Sequence, residues 1–267
     1  MRGRLTARAL LPASAAAFVL LVGVPLLALL LRTVPGGLLG RYLADPQVIA
    51  ALRLSLFTTS ITLVLAVLFG TPLAYVLARR EFPAKQWVDT LIDLPMVLPP
   101  AVAGVALLMA FGRRGLLAPV LNPLGIERAF STAAVVIAQA FVAAPFYVRA
   151  ARAGFAAVDP VLEGVSRTLG LSPLRTFWRV TVPLALPALL GGAVMSWARA
   201  LGEFGATIMF AGNFVGRTQT MPLAVYQALE SDLNVSLTLS TILVIVSVAV
   251  LLAFRAGVRR GFGDLGR

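Results

Sequence analysis

Apolar positions along this chain gather into long blocks, each closed by a short polar or glycine/proline-rich stretch. The blocks run over about residues 10–32, 51–77, 91–111, 132–148, 184–209 and 237–254. A helix of roughly 20 apolar residues matches a hydrocarbon thickness of about 30 Å. Lipid cannot satisfy an open backbone, so the pattern predicts membrane helices. A β-barrel would need short alternating segments, which are absent. The pattern therefore predicts an all-α polytopic membrane protein with six spans in a single transmembrane domain, 1–267. Arg2, Arg4 and Arg8 before the first block resemble the start of a signal peptide. The block is too long for an ordinary cleaved segment and other spans follow, so it reads as a retained first helix, closed by Pro35, Gly36 and Gly37. The Pro99-Pro100 pair predicts a local break in the third span.

Composition supports the pattern: 59 % of the residues are apolar and 13 % charged, with a mean hydropathy of +0.92. Six spans place both termini on one side. With the termini in the cytoplasm, segments 2–8, 79–85, 149–179 and 255–267 hold 15 of the 23 basic residues, as the positive-inside rule expects. The opposite side holds Arg32, Arg41, Arg53, Arg113, Arg114, Arg128 and Arg217. The net charge of +12 forms no single stripe, which argues against nucleic-acid binding. Without Cys or His there are no disulfides, thiolates or imidazoles. Lys85 is the single lysine and no GxxxxGK[ST] surrounds it, so no Walker A loop is present and the chain is not expected to hydrolyse ATP.

The most informative loop is 151–183. Asp159 and Pro160 signal a helix start, Val161, Leu162, Val165 and Leu169 recur near helical spacing, and Gly170 signals an end. Ser172 and Pro173 repeat the capping signal before Leu174, Phe177 and Trp178, and Val182 and Pro183 lead back to the membrane. A short helical hairpin with an apolar stripe follows. The stripe either packs on the chain's own spans or lipid, or protrudes into a groove of a partner.

Other polar residues leave two readings each. Arg199 and Glu203, four apart in the fifth span, share a helix face. They form an internal ion pair or line a pathway or gate. Gly202, Gly205 and Ala206 around them allow close helix approach, compatible with another subunit. Thr58, Thr59, Ser60 and Thr62 could line a wet cavity or satisfy backbone carbonyls. In the external loop 212–220, Asn213, Arg217, Thr218, Gln219 and Thr220 could bind an anion or a docking protein, or simply cap the loop.

The run EGVSRTLGLSPLRTFWRVTVPLALP, residues 163–187, resembles the EAA loop of ABC-importer permeases. Gly164, Val165 and Ser166 take the Glu-Ala-Ala positions, Gly170 the invariant glycine, and Val180-x-Val182-Pro183 the ending, while the acidic residue is displaced to Glu163. LIDLPMVLPPAVAGVALL, residues 91–108, and ARALGEFGATIMFAGNFVGRTQTMPLAVYQALESD, residues 198–232, look like segments of molybdate-type permeases. The resemblance covers a permease core over 50–257. It implies a type I ABC-importer permease that carries molybdate, with tungstate, across the cytoplasmic membrane by alternating access.

It further implies a second copy of the chain, two separate ATP-binding subunits and an extracytoplasmic oxyanion-binding protein. ATP and Mg2+ would belong to the ATPase, and this chain would hold no cofactor or metal. Segment 160–171 would be the coupling helix, with Glu163, Gly164, Val165, Ser166, Leu169, Gly170, Val182 and Pro183 serving the ATPase contact. No regulatory domain is expected after Arg255. A sulfate or thiosulfate permease is the near alternative. An ATP-independent carrier or channel, which would usually show internal repeats, and a membrane scaffold are the distant ones.

Overall fold

The computed structural model describes residues 2–34, 37–121 and 129–263. The expected helix-ending Pro35 and Gly36, and Arg128 of the far-side loop, lie outside the described residues. Those described form helices and connections only. The helices are α1 (Arg2–Thr33), α2 (Leu38–Leu43), α3 (Pro46–Arg79), α4 (Lys85–Val97), α5 (Pro100–Phe111), α6 (Ala118–Leu121) and α7 (Thr132–Ala157). After these come α8 (Pro160–Thr168), α9 (Pro173–Thr176), a π-helical turn (Phe177–Thr181), α10 (Val182–Leu201), α11 (Gly205–Ala211), α12 (Met221–Ser231) and α13 (Leu233–Gly263).

Five stretches are long and apolar enough to cross a membrane: Pro12–Thr33, Pro46–Arg79, Thr132–Ala157, Pro173–Leu201 and Leu233–Phe254. The expected third span is instead two helices, α4 and α5, bent by 119°. Leu98 and Pro99 between them are extended, with ψ of 135° each, because proline removes a donor and clashes with the turn before it. Both halves nevertheless advance along α7 in one direction. Asp89 and Asp93 of α4 pair with Arg152 and Arg149. Ala103 and Leu107 of α5 share a buried cluster with Ala134, Val135, Ala138 and Val142. From Arg152 at one end to Ala134 at the other, the contacts extend over eighteen residues of α7, about 27 Å of helix. The pair is therefore one broken crossing, the sixth.

Helix α7 is the centre, packed between α3 and α10. Apolar surface alone gives helices no preference for each other over lipid, so close packing and polar contacts hold them. The α7–α10 seam interlocks small residues. A Cβ on Gly154 would lie 2.5 Å from that of Ala188, and one on Gly192 2.6 Å from that of Ala150. Ser196 Oγ donates to Ala143 O at 2.9 Å, and Thr62 Oγ1 donates to Gln139 Oε1 at 3.2 Å across the α3–α7 contact.

The fifth span also departs from expectation. It stops at Leu201 and resumes at Gly205. Two of its three small residues pack within the chain, since a Cβ on Gly205 would overlap Pro100 and Ala206 packs under Gly104 of α5, while Gly202 stays exposed. The breaks at Leu98-Pro99 and at Gly202–Phe204 thus sit against each other.

The adjacent glycines of α10 give a test of the seam. Gly192→Ala should lower stability by about 1–3 kcal/mol through overpacking, whereas Gly191, which has nothing within 4 Å, should accept Ala without loss. Thermal unfolding of the two variants in detergent checks this, and equal midpoints would refute it.

Candidate functional site

The hairpin between α7 and α10 forms as its local signals dictate. Asp159 Oδ1 accepts from Val161 N at 2.9 Å, capping α8, and Ser172 Oγ accepts from Arg175 N at 3.4 Å, capping α9. Gly170 has φ 90°, a left-handed conformation that favours glycine. Leu171 N donates to Ser166 O at 3.1 Å around that turn.

The buried face of α8 is its polar one. Glu163 Oε1 accepts from Arg79 Nη2 at 2.9 Å and from Thr181 Oγ1 at 2.8 Å. Arg79 also donates to Val158 O at 2.8 Å, and Arg167 lies 4.0 Å from Glu163 Oε2. Ser166 Oγ bonds Glu163 O and the Thr176 hydroxyl, both at 2.8 Å. One carboxylate therefore joins α8 to the end of α3 and to the root of α10.

The apolar stripe points the other way. Val161 and Leu169 are 64 % and 76 % exposed, and Leu162, Val165, Leu174 and Trp178 are also exposed. The reading in which the stripe packs on the chain's own spans is corrected. Of its residues Phe177 alone turns inward, with ring centroids 4.9 Å from Tyr75 and 6.0 Å from Phe155. The hairpin's second arm is also not a separate helix. After Pro173–Thr176 the chain passes through the π turn directly into α10, so Val182 and Pro183 lie inside a continuous helix. Pro183 has no N–H for a regular helical bond, and Val182 N reaches back to Phe177 O, the wider turn of a π-bulge. Gly164 lies exposed on the outer face, with nothing within 4 Å.

Sequence reasoning missed the ionic frame around the hairpin. Arg79, Arg149 and Arg152 were legible only as loop charge, and Asp89 and Asp93 were not singled out. Their signal was spacing: two acids four apart on α4 face two arginines three apart on α7.

Arg199 and Glu203 do pair, Nη1 to Oε2 at 2.7 Å, without hydrogen-bond alignment. They do not share a helix face, because Glu203 lies in the break between α10 and α11. Its Oε1 accepts from Ala206 N at 2.8 Å and caps the restart. Thr58 and Thr59 are buried, each donating to a carbonyl four residues back, at 2.9 and 2.7 Å. Ser60 is exposed and bonds Leu56 O at 2.7 Å. The expected wet cavity is thus not lined by Thr58 or Thr59 in this conformation.

In the far-end loop, Thr218 Oγ1 accepts from Phe214 N at 3.0 Å. Asn213 and Gln219 both donate to Gln227 Oε1, at 3.2 and 2.5 Å. The Arg217 carbonyl accepts from Thr132 at 2.8 Å. The loop is tied inward. Gln219 and Gln227 border a cleft of about 140 Å3 with Asp45, Gln47 and Ser231. Among the described residues no group of three or more acidic side chains could hold a metal ion.

Residues 70–262 match the family of binding-protein-dependent transport system inner membrane components. Over 242 residues the chain is 43 % identical to the molybdenum transport system permease protein ModB of Mycobacterium tuberculosis, covering 91 % of each. It is 42 % identical over 223 residues to the molybdate/tungstate transport system permease protein WtpB of Pyrococcus furiosus, covering 84 % of this chain and 83 % of that protein. Its fold is similar to a crystal structure of a bacterial ABC transporter involved in the import of the acidic polysaccharide alginate. The TM-score is 0.77 at 15 % identity, covering 97 % of this chain and 96 % of that one.

The Glu163 anchor can be tested directly. The Arg79 and Glu163 side chains are 14 % and 8 % exposed, and removing one partner of a buried pair costs about 3–5 kcal/mol. Glu163→Ala should release the hairpin, seen as faster hydrogen exchange over residues 160–171 while the spans stay protected. Unchanged exchange there would refute the anchoring role.

Proposed function

The chain belongs to the family of binding-protein-dependent transport system inner membrane components, and from that membership we propose that it is the permease subunit of an ATP-driven importer of molybdate, with tungstate as a second cargo. The observation that carries the permease role is the hairpin. A buried carboxylate braces it on two membrane helices, while its apolar residues are turned outward. An exposed apolar stripe on a capped helix suits a groove in a partner, and a braced helix can transmit a push that a floppy loop would absorb. The molybdate and tungstate relatives support this cargo over sulfate or thiosulfate. An ATP-independent carrier or channel would have no use for such an element.

In this reading two copies of the chain line one path in the cytoplasmic membrane. Both termini and the hairpin face the cytoplasm, in line with the arginine distribution. Two ATP-binding subunits grip the two hairpins, and an oxyanion-binding protein delivers cargo to the far-end loops. ATP and Mg2+ are used by the ATPase, and this chain is not itself catalytic. ATP binding closes the ATPases, the hairpins move as rigid bodies and the cavity opens outward. Hydrolysis and phosphate release restore the inward-facing state.

The test is ATP hydrolysis by the reconstituted complex with its own ATPase and binding protein. Molybdate should stimulate it, and stimulation by sulfate alone would overturn the cargo. Two variants probe the hairpin. Gly170→Val strains a left-handed position by about 1–3 kcal/mol, so it should leave the spans inserted and ATP hydrolysis running while uptake falls. Leu169→Asp should weaken capture of the ATPase, because burying a leucine contributes about 1.5–3 kcal/mol. Wild-type coupling in the first or wild-type capture in the second would count against the docking role.

A further inference from the structure

Arg199 lies deep in the bundle. Ser196 Oγ bonds Ala143 O, and Ala143 is close to the middle of α7. Arg199, three residues on, stands about 4.5 Å beyond that level. Charge at such depth is expensive and persists where it meets protein or water.

Irregular backbone at membrane depth is tolerated under the same condition. Both helix breaks meet here, with Gly205 against Pro100. Beside Arg199, α10 turns an open stripe away from its own bundle: Pro187, Gly191, Met195, Ala198 and Gly202 are all exposed.

The two charges are held unequally. Glu203 is 1 % exposed, and its Oε1 is committed to the amide of Ala206. Arg199 is 30 % exposed and touches Glu203 Oε2 without hydrogen-bond alignment. A guanidinium carries five N–H donors, and Glu203 is the one partner described for it. Its planar fork suits two oxygens of a tetrahedral oxyanion.

Resting on the importer reading, we infer that Arg199 is a transit contact for the oxyanion. Its guanidinium swings from Glu203 Oε2 to the passing anion and back, while Glu203 stays fixed on α11. Competition from Glu203 keeps the anion's stay short, so the pair hands cargo on and does not store it.

The experiment uses the whole complex in proteoliposomes, with molybdate as the probe. Arg199→Gln should cut uptake by about tenfold or more, the scale of one hydrogen bond to a charged group. Arg199→Lys keeps the charge without the fork and should fall between. Glu203→Gln keeps an oxygen for the Ala206 amide and removes the competing charge. Without the binding protein, that variant should bind molybdate about tenfold more tightly than wild type. The gain should vanish in the double variant with Arg199→Gln, which a merely structural ion pair does not predict. Where Arg199→Gln fails to fold, molybdate binding by Glu203→Gln decides alone. Wild-type uptake by Arg199→Gln, or no gain in binding by Glu203→Gln, overturns the inference. A wild-type complex that imports no oxyanion overturns the importer reading instead.

Discussion

A backbone in hydrocarbon has no water to turn to, and each unpaired amide or carbonyl there costs several kcal/mol. This chain still breaks two of its helices in mid-membrane, at Leu98-Pro99 and at Gly202–Phe204. It can do so because the breaks cover each other and because a buried carboxylate replaces a lost partner at Ala206 N. The same pressure turns Thr58, Thr59 and Ser60 back onto their own helix. Departures from regular helix are therefore confined to places where another part of the chain can satisfy them.

At the hairpin end the arrangement of a soluble amphipathic helix is inverted. Helix α8 buries Glu163 and Ser166 and exposes Val161, Leu162, Val165 and Leu169. A polar buried face needs complete pairing, since an unpaired buried charge is costly. Arg79, Thr181 and Thr176 supply most of that pairing, with Arg79 Nε left without a partner. Bonds of this kind are directional, so they fix the hairpin's pose more strictly than apolar packing would. They also leave the apolar face of α8 exposed.

What was legible in the sequence was what is local. Asp159, Pro160, Gly170, Ser172 and Pro173 marked the hairpin because a cap acts within about four residues. The apolar blocks announced the spans for the same reason. The partner of Glu163 is 84 residues away, and no periodicity links α3 to α8. Likewise the spacing of Arg199 and Glu203 suits a continuous helix, and only the packing of Gly205 on Pro100 shows why the helix stops between them. The outward direction of the stripe could not be read either, since an amphipathic pattern marks two faces without saying which one is buried.

The two glutamates then illustrate how one residue type serves opposite ends. Glu163 is bonded by groups on two separate helices, and every one of those bonds must break for it to move. Glu203 fixes one oxygen on the backbone and offers the other to a partly exposed arginine. In the proposed importer a lever must not yield under load, which suits a carboxylate oxygen bonded from two separate elements. On the same proposal a path must release what it holds, which suits an ion pair without hydrogen-bond alignment. Both follow from the cost of burying charge, set by how many donors the surrounding helices bring to each carboxylate.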